Sequence, residues 1–430
     1  MSSRSTLSVK EAVARGIARR YRNEAIFRAL GLGALLIGLG FLAFFFYTLV
    51  GNGYTALEQT RIRLDVELDA AVIDPGATRD PETLRSADYQ RLARDALGGL
   101  FPEVTSRADL RALYALLSAG AGIELQQLVV NEPAAIGETR TLWLLADDDV
   151  DVLVKGHAPR DVPETDRRMD DRQLRWLTVL EQQGRVDLQF NRYFFTRGDS
   201  RDPELAGIWG ATVGSFFMLL VTLALSFPLG VATAVYLEEF APRNRWTDLI
   251  EVNINNLAAV PSIVFGLLGL ALFINVFGLP RSAPLVGGLV LSLMTLPVII
   301  IASRAALTAV PPSIREAALG VGASKMQMVL HHVLPLAMPG MLTGTIIGMA
   351  RALGESAPLL MIGMVAFIVD VPGSPVSPAT ALPVQVYLWA DSPERAFVER
   401  TSAAIVVLLL FLLVMNATAI LLRKRFERRY

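Results

Sequence analysis

The stretch LVGGLVLSLMTLPVIIIA, residues 285–302, decides the fold because it runs for eighteen residues without a charge. As a helix rising about 1.5 Å per residue, a run of this length crosses the hydrocarbon core of a bilayer. Outside it lie five further long apolar runs, at residues 26–50, 208–237, 257–279, 339–369 and 403–422. The sequence therefore predicts an all-α polytopic membrane protein with six transmembrane helices.

The composition of the whole chain excludes several classes of function. Of its 430 residues, 53% are hydrophobic and 19% charged, and the formal net charge is -1. No overall basic surplus exists to bind nucleic acid. Cysteine is absent and only three histidines occur, so disulfides and thiol chemistry are excluded and zinc or Ser-His-Asp centres are disfavoured. We expect no cofactor and no metal.

The distribution of basic residues predicts the orientation in the membrane. Arginines are frequent in the N-terminal segment 1–25, just before the first span at 26–50. The C-terminal tail 423–430 reads RKRFERRY, which includes Arg423, Arg428 and Arg429. Since cytoplasmic loops carry the excess of Lys and Arg, both termini are predicted to be cytoplasmic, as an even number of spans requires.

A polar insert at 53–207 separates the first two spans and, on this topology, is extracytoplasmic. Its stretch IRLDVELD alternates apolar with charged residues, which is typical of a half-buried strand. Asp80 followed by Pro81 predicts a helix through about Leu97, and Ser106 with Asp109 predicts a capping box. TLWLLA with VDVLVKG indicates a hairpin, and QLRWLTVLEQQ a helix. The insert is therefore predicted to be a small α+β domain.

Acidic residues in the insert resemble a calcium loop only superficially. In DDDVD, Asp147, Asp149 and Asp151 have the spacing of an EF-hand, but Val152 and Ala158 occupy the places of its glycine and glutamate. A solvated acidic turn is therefore the favoured interpretation. His157 is expected at the surface.

The loop at 311–335, PPSIREAALGVGASKMQMVLHHVLP, joins the fourth and fifth spans. Ser313 with Glu316 predicts a capping box that opens a short helix. Glycines then permit a tight turn, and Ser324 with Gln327 predicts a second capped helix that ends at Pro335. The sequence thus predicts two short helices joined by a glycine turn on the cytoplasmic side.

This loop resembles the EAA loop of binding-protein-dependent ABC importer permeases. The residues that match the motif are Glu316, Ala317, Ala318 and Gly322, followed at the family spacing by Leu334 and Pro335. The resemblance implies that the first four form the coupling contact with a separate ATPase subunit. His332 departs from the family's isoleucine. The chain has no phosphate loop of its own, because GVGASK fails the required template. It is therefore not expected to be an enzyme.

The fifth span carries the charges that suggest a transport path. Gly340, Gly344, Gly348 and Ala352 recur every four residues, which predicts close helix packing. Arg351 and Glu355 are four residues apart and can pair. Charges within a span are costly and often mark a pathway, and an arginine fork suits an oxyanion. A purely structural ion pair is the alternative.

The third span contains a second candidate feature of the path. Pro261, Ser262 and Gly266 fall within AVPSIVFGLLG, where proline and glycine can break the helix and free backbone donors for an anion. A tolerated proline kink is the alternative.

Together PSIVFG, RALGESAPLL and the EAA-like loop resemble phosphate ABC permeases of the PstA type, over about residues 207–430 and the first span. The resemblance implies the fold of a type I (MetI-like) importer permease at 208–422, in a bacterial cytoplasmic membrane. It also implies a path for inorganic phosphate that includes Arg351 and Glu355. The implied partners are the lipid bilayer, a second homologous permease, two ATPase subunits and a periplasmic phosphate-binding protein.

Several alternatives stay open. Another oxyanion, such as sulfate or molybdate, could be the substrate. A transporter that uses no ATP would leave the EAA-like loop unexplained, and a membrane sensor would need a cytoplasmic output domain that the chain lacks. The insert departs from the shorter family pattern, and its role is open.

Overall fold

The computed structural model describes residues 9–426, so residues 1–8 and the predicted tail residues Arg428 and Arg429 lie outside it. Helix α1 (Val9–Gly53) contains the predicted first span. Its apolar side chains from Ile26 to Phe46 are mostly exposed, as expected for a helix surrounded by lipid. Residues 9–52 form one unit and residues 53–426 form a second.

Three antiparallel strands form the sheet of the insert, in the order β2-β1-β3. They are β1 (Glu58–Glu67), β2 (Thr139–Leu145) and β3 (Val186–Phe190). Leu64 of β1 lies opposite Leu142, and Thr60 lies opposite Leu188. The alternating residues Ile62, Leu64, Val66 and Leu68 are fully buried, which confirms the predicted strand. The sequence predicted β1 and β2 but not β3, which is present at Val186–Phe190.

Eight helices of the insert surround this sheet. They are α2 (Ala70–Ile73), α3 (Pro81–Ser86), α4 (Tyr89–Gly99), α5 (Arg107–Tyr114), α6 (Gly120–Asn131), α7 (Asp148–Val154), α8 (Asp171–Gln182) and α9 (Arg192–Thr196). Leu92, Leu113, Leu125 and Leu177, each from a different helix, bury their side chains in a common core with β1. The predicted helix QLRWLTVLEQQ is confirmed as part of α8.

Two predictions in the insert are wrong. The helix that Asp80 and Pro81 open ends at Ser86, because the Asp88 carboxylate accepts a hydrogen bond from the Arg91 amide and starts a new helix there. VDVLVKG is not a strand but belongs to α7. The Asp147 carboxylate caps this helix, and Val150 and Leu153, three residues apart, enter the core together.

The remaining helices form the membrane region. They are α10 (Trp209–Val235), α11 (Arg245–Ala258), α12 (Ser262–Gly269), α13 (Pro284–Thr308), α14 (Pro312–Gly320), α15 (Lys325–Met328), α16 (Leu334–Gly354), α17 (Ala357–Met361), α18 (Leu382–Ala390) and α19 (Ala396–Phe426). Wide π-type turns extend α10, α12 and α15.

Within residues 9–426, five helices are long and apolar enough to cross a membrane, and a sixth span results if α11 and α12 count as one. This agrees with the six predicted spans and confirms the predicted fold class. The fifth span, however, has different limits from the predicted 339–369. A continuous helix runs from Lys325 to Gly354, and the chain after Met361 is largely irregular.

Close packing of α16 on α13 follows from small residues, as predicted. A methyl group at Gly344 would lie 2.2 Å from the Ala302 Cβ, and one at Gly340 would lie 2.7 Å from the Ala306 Cβ. Only glycine permits this approach of the two helices. Gly288 of α13 likewise faces Val221 of α10, where an added methyl would lie 2.6 Å from the valine Cβ. Helices α10, α13 and α16 thus form the centre of the membrane region.

Candidate transport path and coupling loop

Arg351 and Glu355 lie at the end of α16, where the helix stops at Gly354. The Arg351 Nε and the Glu355 Oε1 are 3.6 Å apart, so the predicted pair forms, although it is longer than a normal hydrogen bond. The Arg351 side chain is 53% exposed. Among residues 9–426 its guanidinium makes no hydrogen bond to the protein. The Arg351 guanidinium, whose one charged neighbour is the Glu355 carboxylate at 3.6 Å, therefore has donors left to bind an anion.

The break predicted at Pro261 is present, and it is sharp. Helices α11 and α12 meet at an angle of 101° around this proline, whose backbone is extended. Ser262 begins the second helix. Gly266 then touches the chain just after Glu355, because a methyl group there would lie 2.7 Å from the Pro358 backbone. The two stretches singled out in the sequence, PSIVFG and GESAPLL, therefore pack against each other.

The loop 311–335 has the predicted arrangement of helix, glycine turn and helix. Helix α14 ends at Gly320, and Gly322 takes a φ of +88°, which favours glycine. The Ser324 hydroxyl accepts from the Gln327 amide and the Gln327 side chain accepts from the Ser324 amide, as predicted. The first capping box is wrong. Helix α14 already begins at Pro312, so Ser313 lies inside it and caps nothing.

Pro335 does not end the second helix of this loop. A π-type turn at Val329–Val333 precedes it, and the helix continues through Pro335 into α16. A widened turn accommodates the missing amide donor of a proline inside a helix. One helix of 30 residues therefore connects the loop at Lys325 with Gly354, three residues after Arg351. A displacement of the loop can be transmitted along this helix.

The four residues predicted to couple to an ATPase divide into two groups. Glu316, Ala317 and Gly322 are exposed at the surface. Ala318 is only 6% exposed and packs in a cluster with Met328 and Val333. A protein that binds this loop can touch the first group, whereas Ala318 holds α14 on the membrane region.

Charged contacts attach the loop to the end of α10, and the sequence reasoning missed them. The Arg315 Nη2 lies 2.8 Å from the Glu239 Oε1 and also donates to the Leu307 carbonyl. The ammonium of Lys325 lies 5.3 Å from the ring centre of Phe240. The adjacent acids Glu238 and Glu239 at the end of an apolar run were the signal available for this attachment.

Apolar side chains are exposed around the turn of the loop. Val321 is 85% exposed, and Leu319, Met326 and Leu330 are also exposed. Apolar side chains grouped on a polar surface are typical of a protein interaction site. The loop therefore combines a firmly attached base with an uncovered tip.

At the other end of the membrane region the insert is fixed by buried charges. The Lys155 ammonium is 1% exposed and lies 2.7 Å from an Asp151 oxygen and 2.8 Å from a Glu399 oxygen. Glu399 belongs to the first turn of α19, and it also accepts from the Thr55 hydroxyl at 2.7 Å. His157 is exposed, as predicted, and its ring lies 2.9 Å from the same hydroxyl. One buried network therefore connects the insert with the start of the last span.

Three more hydrogen bonds join the end of the insert to the segment after α17 and to α19. The Trp389 indole donates to the Asp199 carboxylate at 2.8 Å, and the Asp199 amide donates to the Ile368 carbonyl at 3.1 Å. The fully buried Arg400 donates to the Ala206 carbonyl at 3.1 Å. Burial raises the pKa of Asp199 above its ordinary range. The insert thus packs firmly on the membrane region.

The acidic residues 147–149 do not form the predicted solvated turn, because Asp147 caps α7 and Asp148 and Asp149 lie in its first turn, all three partly buried. Their carboxylate oxygens lie within 4.8 Å of one another. Burial, together with the charges of Asp148 and Glu204, raises the pKa of Asp147 to about 8. The positive end of the helix dipole favours carboxylates at this place without any ion.

Comparisons with known proteins divide the chain in a similar way. Residues 226–430 match the family model described as binding-protein-dependent transport system inner membrane component, and residues 14–164 match a domain of unknown function. The phosphate transport system permease protein PstA 1 of Mycobacterium tuberculosis is 32% identical over 233 residues, which are 54% of this chain and 76% of that protein.

One further relative and one solved structure are similar to parts of the chain. The probable ABC transporter permease protein YqgI of Bacillus subtilis is 36% identical over 173 residues, 40% of this chain and 58% of that protein. A solved structure of the MetNI methionine ABC transporter, inward facing, aligns with a TM-score of 0.43 and 19% identity over 51% of this chain and 98% of that chain.

Proposed function

The chain belongs to the family of binding-protein-dependent transport system inner membrane components, and on that premise we propose that it is the permease subunit of an ATP-driven importer of inorganic phosphate. The observation that carries the proposal is the loop 311–335, which presents Glu316 and Ala317 on a helix attached by Arg315 to the end of α10. Such a loop suits contact with a separate ATPase subunit. The name of the Mycobacterium relative supports phosphate as the substrate.

The proposed topology places both termini in the cytoplasm of a bacterium. The chain is a multi-pass membrane protein, with 26–50 as the first span, 53–207 as an extracytoplasmic domain and 208–422 as the permease domain. Arginines in α1 and at the end of α19 support this orientation through the positive-inside rule. The loop 311–335 then lies on the cytoplasmic side, where ATP is available.

The proposed partners are a second homologous permease, two ATPase subunits and a periplasmic phosphate-binding protein. Helix α11 has no buried residue, and its Trp246, Leu249 and Val252 are exposed, as are Ile263 and Leu267 of α12. In a membrane such a face can contact lipid or another helix, and in the proposed dimer part of it contacts the second permease.

The proposed mechanism uses the continuous helix from Lys325 to Gly354. ATP binding closes the two ATPase subunits and displaces the loop that touches them. Since that loop continues directly into α16, a helix of about 45 Å at 1.5 Å per residue carries the displacement to Arg351. Spans three to five then rock, and the path changes from outward-open to inward-open.

Arg351 has the chemistry for a contact along this path. Its planar guanidinium can bond two oxygens of phosphate, and the Glu355 carboxylate 3.6 Å away holds it in place when the path is empty. The same fixed negative charge weakens anion binding, so phosphate passes instead of being trapped. Pro261, Ser262 and Gly266 shape the neighbouring wall, where the helix break exposes backbone groups.

Uptake of labelled phosphate into proteoliposomes that contain the whole importer tests the proposal. We expect uptake that requires ATP and the binding protein, and that excess unlabelled phosphate reduces but sulfate and molybdate do not. Competition by sulfate or molybdate would favour the other-oxyanion alternative. Uptake that proceeds equally without ATP would favour a transporter with no ATPase partner.

A further inference from the structure

A groove on the insert, between α4 and α5, carries an unbalanced positive charge. Arg94 of α4 and Arg107 and Arg111 of α5 line it, and all three are exposed. Among residues 9–426 none of them forms an ion pair. The acids nearest in sequence are already engaged, since Asp95 pairs with Arg91 and Asp109 with Arg172.

The dimensions of the groove indicate what it can hold. Its volume is about 590 Å³, in the range of sites for ligands much larger than a four-oxygen ion. Leu110, Leu117 and Tyr114 also line the groove. Arg107 and Arg111 lie four residues apart, so they share one face of α5 and both reach the groove. A segment of a protein chain can enter a groove of this volume, whereas a flat plane of lipid headgroups does not enter it.

We propose that this groove docks an acidic surface segment of the external solute-binding protein, so that the insert helps to recruit the loaded carrier. The inference rests on the proposed function, which supplies a soluble partner on this side of the membrane. Arginine and tyrosine are enriched at protein interfaces, and unpaired arginines beside leucine and tyrosine side chains have the composition of an interface. Charge complementarity of this kind accelerates encounter and weakens with salt.

Charge reversal with a matched control tests the proposal in the assembled importer in proteoliposomes. The test variant is Arg107→Glu with Arg111→Glu. The control is Arg85→Glu with Arg175→Glu, two exposed arginines outside the groove, which changes the net charge equally. Phosphate uptake is measured against the concentration of the loaded binding protein at low and high salt.

We expect the test variant to raise the half-saturating concentration of binding protein about tenfold at low salt, with an unchanged maximal rate and a smaller salt dependence. The control variant should behave like the unaltered importer. An unchanged half-saturating concentration in the test variant overturns the proposal, as does an equal rise in the control. Loss of maximal rate without that rise, or weaker association with anionic vesicles as the only change, also overturns it.

The same experiment distinguishes an error in the proposed function from an error in this inference. If the unaltered importer takes up no phosphate, the function is wrong. If it takes up phosphate normally and the reversed groove has no effect, only the docking role is wrong.

Discussion

The two ends of the membrane region differ in how their charges are used. At the loop 311–335, Arg315 and Glu239 attach the base of a helix, and the tip with Glu316 and Val321 is uncovered. At the insert, Lys155 and Glu399 are buried together, and the chain covers its own surface. The tip of the loop is left for another protein to cover, whereas the junction of the insert with α19 is closed by the chain itself.

This difference indicates where motion can enter the molecule. The pair of Arg315 with Glu239, whose side chains are 21% and 6% exposed, fixes the base of the loop, whereas the tip around Val321 is exposed and can adjust. A buried network such as that of Lys155 resists separation, because each charge left alone would stay in a medium of low dielectric. We therefore expect the insert and the start of α19 to move together, while the loop transmits force into α16.

Removal of Lys155 should give the largest loss of stability. Lys155→Met leaves the carboxylates of Asp151 and Glu399 buried without their cation, which should lower the free energy of unfolding by about 3–5 kcal/mol. Arg140→Met, at an exposed ion pair with Glu132, should cost about 0–1 kcal/mol. Urea unfolding in detergent, followed by tryptophan fluorescence, measures both. Equal losses in the two variants would show that the network does not hold the insert.

Removal of Arg351 should stop transport without loss of assembly. Arg351→Ala deletes the only charged side chain of α16, so we expect phosphate uptake to fall about 100-fold, the effect of losing a charge-assisted fork. Arg351→Lys keeps the charge but not the fork and should retain part of the activity. Size-exclusion chromatography checks that the complex still assembles. Normal uptake by Arg351→Ala would leave the arginine with a structural role only.

A pH-dependent stability is expected from Glu204, where the insert meets the membrane region. Burial and the charges of Asp148 and Asp202 raise its pKa to about 7. At a pH between the ordinary pKa of a glutamate and about 7, Glu204 is therefore protonated in the folded protein and ionised in the unfolded chain. Stability that is present below about pH 4.5 is lost as the pH rises to about 7.

The variant Glu204→Gln isolates this effect. The unaltered protein should lose about 1–3 kcal/mol of unfolding free energy between pH 5 and pH 8 because of Glu204, and the variant should lose less. Asp147, with a pKa of about 8, acts in the same direction, so some pH dependence should persist. Urea unfolding at the two pH values measures the difference. An identical pH dependence in both proteins would contradict the assignment.

The sequence predicted best those elements whose pattern is local. The alternation at Ile62–Leu68 identified β1, because a strand buried on one face alternates apolar and polar residues. Long apolar runs located the spans, because a helix in lipid is apolar on all sides. The prediction failed where a neighbouring element decided the outcome. VDVLVKG alternates weakly like a strand but folds as α7, since Asp147 caps it. Pro335 has the appearance of a stop, but a widened turn before it lets the helix continue.

The candidate site was predictable in part. Arg351, Glu355 and Gly322 stand out because charges in a span and glycines in a turn are costly or distinctive. The burial of Ala318 could not be predicted from the motif, since three adjacent residues on a helix point in three directions. The contacts of Arg315 with Glu239 and of Lys155 with Glu399 join residues 76 and 244 positions apart. Only the fold brings such residues together.

Cross-linking at two adjacent alanines tests most directly that the loop 311–335 receives an ATPase subunit. The chain has no cysteine, so Ala317→Cys and Ala318→Cys each introduce its single thiol. A thiol-to-amine cross-linker is applied to the assembled importer with and without ATP. We predict that the exposed position 317 cross-links to the ATPase subunit in a yield that ATP changes, and that the buried position 318 does not. No cross-link from position 317, or equal yields from both, would contradict the account.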